Sequence, residues 1–490
     1  MEVCTVSKIT VKIGFVPSYR NKLRFEAWAS TMYKESVAAL STVEAMELVT
    51  PHPSPDGKTL DAEMGYTPNG GVNTLDEAEV VAQYFAAQKV DGIIICPLDF
   101  GDERSAVKVA EKLKVPVLLY ATKEPEAHTN ASLARKSDSY CGNLSLASGL
   151  YRRKIPFHWA GLFFPGEPEL LEEVDTFIRA VAVVKGLTGA RIGQVGVRTP
   201  FFETMAYDEV ALIRKFEQNI IYTELSEITG RAQSYADDDP KVLGVVEEVR
   251  GMFKSITVGQ DYMLNAAKME LAIREFWEEN KLTAMAIQCW PSIQKLMGLS
   301  VCNIFGRLTD TAALTACEVD VLGAVAMMTN YFAALGETVP HFVDWTIQHR
   351  DNENWLMAWH CGNAPISLAA DPQEATLRSR TNMKGEETDP EGNPQAGLAQ
   401  FQIKPGKVTF CRLVEYDDEW KMLITTGQII PTDEILAGTW AWVEVKDHKK
   451  LYRTLIEEGF IHHVSMVHGD QSKSLLQVCK FMGIKPVVVD

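Results

Sequence analysis

No apolar run in this chain of 490 residues approaches the roughly 18 that a membrane span needs, so no membrane contact is expected. Cysteine is sparse. The nine cysteines are odd in number and lie mostly in apolar segments, such as Cys96 in IIICPL and Cys289 in AIQCW. They read as reduced core residues and not as a disulfide framework. No CxxC pair supports a zinc site. A full GxGxxG or P-loop is also missing, so Gly193, Gly196 and Arg198 in ARIGQVGVRTPFFE make only a weak phosphate cradle. Basic charge is short: 48 Lys and Arg stand against 65 Asp and Glu, for a net charge of −17. The densest basic stretch is KDHKK at 446–450, and nucleic acid is not an expected partner. The amino terminus, MEVCTVSKITVKIGF, has no basic region followed by an apolar core and a cleavage site, so the expected location is the cytoplasm. Solenoid repeats are absent.

What is present is an alternation of strands and helices. At roughly 150 residues per domain the length predicts about three domains. Val11–Val16 and the runs VDGIIICPL and VPVLLYA read as strands buried on both faces. Helical patterns through Trp28, Met32, Val37 and Leu40, through Val80, Val81, Tyr84 and Phe85, and over Ala106–Leu113 lie between them. This predicts a doubly wound parallel sheet. The run CPLDFGDE falls at a strand's carboxyl end, where such sheets bind ligands, with a plain polar loop as the alternative. ARIGQVGVRTPFFE opens a second unit on the same plan. Residues Asp371–Gly406 are polar and read as a long loop or insertion. After them VTFCRLVEY, KMLITTGQII, TWAWVEVK and HHVSMV read as strands of antiparallel character. The expected fold is α/β: two doubly wound parallel α/β domains, residues 1–163 and 164–345, followed by a β-rich α+β domain, residues 346–490.

Chemistry concentrates in the stretch from Thr315 to Pro365. Glu318 follows Ala316 and Cys317, and Asp344 follows Phe342 and Val343. A carboxylate on such an apolar background is either paired with a basic group or committed to a cation. Between the two, Leu322, Val325, Ala326, Met328 and Phe332 recur at helical spacing. His360 in WHCGNAP and the pair His462 and His463 add imidazoles. Carboxylate and imidazole together suit a divalent ion such as Mn²⁺. His462 and His463 are neighbours on a predicted strand, so only one of them is expected to face a site.

These residues carry a resemblance to the L-fucose isomerase and L-arabinose isomerase family. It rests on E-x-D-x-x-G-A-x-x-M at Glu318–Met327, HFVDW around Asp344, the CGNAP turn and IHHVSMVH near the end, with weaker echoes in TPFFE at 199–203 and DPEGNP at 389–394. The resemblance implies a divalent-metal-dependent aldose–ketose isomerase working through a cis-enediol. Its ion would be Mn²⁺, with Mg²⁺ and Co²⁺ as alternatives. Glu318, Asp344 and His463 would be the metal ligands, and Glu318 and Asp344 would also be the catalytic acid/base pair. The arabinose-type spacing favours His463, whereas a fucose-type alignment gives His462. His360 falls where the arabinose branch has a further histidine, and His360 and His462 are the candidates for a fourth ligand or a substrate contact. Arg20 lies in a loop that the family places at a neighbouring subunit's site, which implies a homo-oligomer, a trimer or hexamer, with sites near subunit interfaces. Trp290, Trp345 and Gln348 are expected to line the sugar pocket. Arg378 and Arg380 raise the alternative of an anionic sugar, sulfonated or phosphorylated. The rival from another class is a non-catalytic sugar-binding or regulatory protein of the periplasmic-binding type.

Overall fold

The computed structural model describes residues 8–125, 135–379 and 396–489. By its internal contacts the chain divides into two compact units, residues 8–185 with 480–482, and residues 186–479 with 483–490. The expected boundary at 345/346 falls inside a strand, His341–Gln348.

The first unit is built on a parallel sheet of β1 (Val11–Ser18), β2 (Met46–Val49), β3 (Gly92–Pro97), β4 (Val117–Thr122) and β5 (Phe157–Phe163) in the order β2-β1-β3-β4-β5. The chain winds outward in both directions from β1 and β3, the doubly wound arrangement that the strand and helix alternation predicts. Ile93, Ile94 and Ile95 are fully buried, as a central strand covered on both faces requires. Helices α1 (Leu75–Gln88) and α2 (Glu103–Leu113) start at Thr74 and Asp102, whose side chains accept from the backbone N–H of Glu77 and Ser105. Gly14 lets Phe85 of α1 lie close to β1, since a Cβ there would stand 2.6 Å from that ring.

The second unit contains two sheets. The smaller is parallel, with β6 (Arg191–Val195), β7 (Asn219–Thr223), β9 (Ala284–Ile287) and β10 (Leu314–Cys317) in the order β10-β9-β6-β7. The larger is mixed and runs β8-β13-β14-β17-β12-β11-β18-β15-β16-β19. Its strands are β8 (Ser255–Ile256), β11 (His341–Gln348), β12 (Trp355–His360), β13 (Thr376–Ser379), β14 (Ala396–Gln402), β15 (Gly406–Tyr416), β16 (Glu419–Ile430), β17 (Thr439–Glu444), β18 (His463–His468) and β19 (Lys485–Val489). A further pairing of β16 with β17 closes β17, β12, β11, β18, β15 and β16 into a barrel. Most of these ladders are antiparallel, in agreement with the expected β-rich character of the carboxyl-terminal region. The long polar loop expected over Asp371–Gly406 is corrected at both ends, where β13 and β14 pair with each other. Backbone pairing with a sheet edge overrides local polarity there.

Helices α3 (Gln260–Asn280), α4 (Cys302–Asp310) and α5 (Val321–Ala333) pack in the same unit. Helix α5 is buried on nearly all sides, so its apolar residues extend beyond a single stripe. It stops where Leu335 and Gly336 turn left-handed, with φ of 50° and 70°. Among the described residues no helix is long and apolar enough to cross a membrane.

Candidate metal centre

The centre forms where β10 runs out and α5 begins. Glu318 and Val319 take φ of 63° and 60°, a left-handed conformation that costs a residue with a side chain on the order of 1–3 kcal/mol. Neighbouring bonds hold this turn: the Val319 N–H donates to the Ile287 carbonyl (3.3 Å) and the Asp320 N–H to that of Cys317 (3.1 Å). Asp320 then caps α5, its Oδ1 accepting from the Gly323 N–H at 2.8 Å. From this turn the Glu318 carboxylate reaches His463, Oε2 to Nε2 at 3.3 Å. Opposite it, Asp344 on β11 is in direct register with His463 on β18. Directly paired residues of antiparallel strands share a face, so the two side chains meet.

His463 is the hub. Its Nε2 lies 3.3 Å from Glu318 Oε2 and 3.5 Å from Asp344 Oδ1, and its Nδ1 lies 3.0 Å from Asp320 Oδ2. One donor atom each from Glu318, His462 and His463 falls within 4.8 Å of the others, and so does one each from Asp344, His360 and His463. Glu318 Oε2 and Asp344 Oδ1 are both buried and accept no hydrogen bond. Buried acceptors are nearly always satisfied. Two unused carboxylate oxygens facing imidazole nitrogens therefore fit a divalent cation, which would take up those lone pairs.

The charges around the hub are uneven. Burial opposes ionisation of Asp320, but the Arg412 guanidinium and His463 outweigh it and hold that carboxyl well below the usual carboxylate range. Burial likewise opposes ionisation of Glu318, and the nearby histidines, His463 foremost, bring its carboxyl below the ordinary value. Burial tends to keep His463 neutral, yet the contact with Asp320 and the nearby carboxylates of Glu318 and Asp344 raise its affinity for a proton. Arg412 is fully buried and forks onto Asp320, Nη1 to Oδ2 at 2.5 Å and Nη2 to Oδ1 at 3.0 Å.

Sequence reasoning missed both Asp320 and Arg412. The signal was present: an arginine between Cys411 and Leu413 in an otherwise apolar strand is almost never buried unless paired, and Asp320 is the second acid of the E-x-D motif.

The histidine pair departs from the expected alternation. Strand β18 starts at His463, so His462 precedes it and strand geometry does not turn it away. The two rings lie 4.3 Å apart, and both contribute to the donor group that includes Glu318. An aromatic chain continues outward from His462 to Phe202 (5.5 Å) and from Phe202 to the partly exposed Trp290 (6.2 Å). Trp290 is joined to Pro291 by a cis bond.

Other residues expected at the site have these partners. The Trp345 ring packs tilted against Phe410 at 4.8 Å, on the face opposite Asp344 because adjacent strand residues alternate. Its backbone N–H still donates to the His462 carbonyl at 2.9 Å. Gln348 donates to the Glu353 carbonyl at 2.8 Å and lines a cleft with Asp447, His448 and Tyr452 that includes none of the candidate ligands. Arg20 belongs to the other compact unit, where its guanidinium lies 4.2 Å from the centre of the Phe100 ring. Arg378 donates to Gln400 at 3.4 Å. Arg380 and the DPEGNP segment lie outside the described residues.

Fold and donor set together define an α/β protein with a candidate centre for a divalent ion. Comparison with known proteins narrows this. The family model described as fucose/sulfoquinovose isomerase, N-terminal domain, matches residues 39–188, and that of the L-fucose isomerase C-terminal domain matches residues 358–489. A sulfoquinovose isomerase of Alkalicoccus urumqiensis is 25% identical over 82% of this chain and 86% of its own length. One from Priestia aryabhattai is 25% identical over 85% and 90%. Among solved structures, a periplasmic solute-binding protein of Actinobacillus succinogenes 130z with bound D-allose aligns over 64% of this chain and 86% of its own at 11% identity. Its TM-score of 0.16 carries no argument. The chain belongs to the L-fucose isomerase family, and it is an aldose–ketose isomerase of sugars.

Proposed function

We propose that the enzyme uses Mn²⁺, with Mg²⁺ or Co²⁺ as alternatives, held by Glu318, Asp344 and His463, and that its substrate is an anionic, sulfonated aldose. The observation that carries the metal reading is the pair of buried, unpartnered oxygens on Glu318 and Asp344 facing His463. The names of the curated relatives support the sulfonated sugar; a neutral fucose- or arabinose-like aldose is the alternative.

Aldose and ketose differ by one proton moved between C1 and C2 through a cis-enediol. When bound, a divalent ion polarises the sugar carbonyl and stabilises the negative charge that develops in this transfer. In this reading Glu318 and Asp344 take the proton from one carbon and return it at the other. His360 is the substrate contact in this reading. The Cys361 N–H donates to His360 Nδ1 at 2.9 Å, so the proton of the neutral ring sits on Nε2, and such a ring donates a hydrogen bond more readily than it ligates. His462 supplies the pocket wall beside it, continued by Phe202 and Trp290. The remaining parts of the proposal are a cytoplasmic homo-oligomer, trimer or hexamer, in which Arg20 serves a neighbouring subunit's site, and a division into domains at 1–163, 164–345 and 346–490.

The test is exchange of the C2 proton in deuterated water across a panel of aldoses, sulfonated, phosphorylated and neutral. Metal-dependent exchange greatest with a sulfonated aldose is the expected result. Greatest exchange with a neutral aldose overturns the substrate assignment, and sugar binding without exchange overturns the chemistry.

A further inference from the structure

Asp320 belongs to neither donor group, yet it is the most completely satisfied group at the centre. Its Oδ1 accepts from the Gly323 N–H (2.8 Å) and Arg412 Nη2 (3.0 Å), and its Oδ2 from Arg412 Nη1 (2.5 Å) and lies 3.0 Å from His463 Nδ1. A carboxylate has about four lone-pair sites, and here three are filled by groups that can only donate. The fourth meets a histidine nitrogen whose role depends on the ring's tautomer. Ionised and acceptor-only, Asp320 accommodates just one of the two neutral tautomers. We infer that Asp320, fixed by Arg412 and by the first turn of α5, is a positioning residue: it orients the His463 ring and accepts its Nδ1 proton, so that Nε2 is the nitrogen turned toward a cation held with Glu318 and Asp344.

The arrangement is rigid at each link. Arg412 and His463 are about 1% exposed, as is Asp320, and the Phe342 ring packs on the His463 ring at 4.6 Å, so the imidazole has little room to flip. Arg412 supplies the positive charge that makes a buried, ionised Asp320 tolerable and, through its planar fork, sets the direction of Oδ2. Imidazoles that bind metals commonly donate their second nitrogen to a carboxylate, which orients the ring and raises its basicity. This chain adds a third member, because the orienting carboxylate is itself clamped by an arginine and is also the cap of α5. The inference rests on the reading of Glu318, Asp344 and His463 as metal ligands, and its test separates the two.

The first measurement reads the wild-type ring. In protein loaded with diamagnetic Mg²⁺ and ¹⁵N-labelled at histidine, the His463 ring, identified by its loss in His463→Gln, should show a proton on Nδ1 and none on Nε2. The second uses Asp320→Asn, whose amide can turn its NH₂ toward His463 and force the opposite tautomer. Mn²⁺ affinity measured by calorimetry should fall roughly 10- to 100-fold, with kcat reduced at saturating metal and sugar KM little changed. Arg412→Lys, which keeps the charge and loses the fork, should fall between wild type and Asp320→Asn. A wild-type His463 carrying its proton on Nε2 overturns the inference whether or not the variants fold. So does a folded Asp320→Asn protein with unchanged tautomer and Mn²⁺ affinity. Failure of the wild-type protein to bind Mn²⁺ while His463 shows the Nδ1–H tautomer overturns the metal reading and leaves the positioning role standing.

Discussion

Two clusters of buried charge sit in the same unit and are closed to different degrees. Around Glu270 of α3, Arg307 Nε donates to Oε2 (2.8 Å), while Arg307 Nη2 and Arg274 Nη2 donate to Oε1 (3.2 and 3.0 Å). Glu248 takes a further bond from Arg307 Nη2 at 3.0 Å. No oxygen of Glu270 is left over. Around His463, by contrast, Asp320 is saturated while Glu318 Oε2 and Asp344 Oδ1 accept nothing. Burial of charge is common to both clusters and separates nothing. Unused acceptors separate them, since an ion cluster that serves only the fold has no reason to leave lone pairs dry.

The largest expected effects break the open cluster. Removal of divalent ions with a chelator should abolish turnover reversibly, with Mn²⁺ restoring it better than Zn²⁺; turnover insensitive to chelation would place both clusters in the structural class. Glu318→Gln should lower kcat by roughly 10²–10⁴-fold, the range for a lost acid or base, with circular dichroism unchanged. The melting temperature of that variant, measured without metal, should change little, because glutamine keeps the shape of the side chain and no buried arginine is stranded. Glu270→Ala should do the reverse. It strands Arg307 and should cost about 3–5 kcal/mol in denaturant unfolding, the usual penalty for breaking a buried pair, while Mn²⁺ affinity of the folded protein stays as in wild type.

The smallest effect concerns acid. Burial works against ionisation of Glu270, but Arg307 and Arg274 outweigh it and hold its carboxyl below the usual value. A carboxyl depressed in the folded state contributes stability above the unfolded value, about 4.3 for glutamate, and loses it as pH falls through the folded value. Glu270→Gln should therefore flatten the decline of melting temperature with falling pH below about 4.3. An unchanged slope would show that the closed cluster contributes nothing to acid stability.

How far the sequence discloses this contrast depends on range. Apolar runs such as GIIICP and VLLYAT announce the parallel sheet, because a strand buried on both faces must be apolar along its whole length. The helix between Glu318 and Asp344 follows from its own periodicity, and the acids stand out against their apolar neighbours. Closure of the barrel does not follow, since β12 pairs with β17 and β11 with β18 across long stretches of chain, and no local pattern encodes such partners. Asp320 was hidden by standing two residues from a more conspicuous acid, and Arg412 by lying about ninety residues away along the chain. The alternation argument for the histidine pair supposed that the strand already included His462, and β18 begins one position later.

The central claim, that unused buried oxygens mark the working cluster, is most directly tested by calorimetric titration of Mn²⁺ into metal-free wild type, Glu318→Gln and Glu270→Gln. Saturable binding to wild type and to Glu270→Gln, with severe loss in Glu318→Gln, is the predicted result. Equal Mn²⁺ binding by wild type and Glu318→Gln would contradict it.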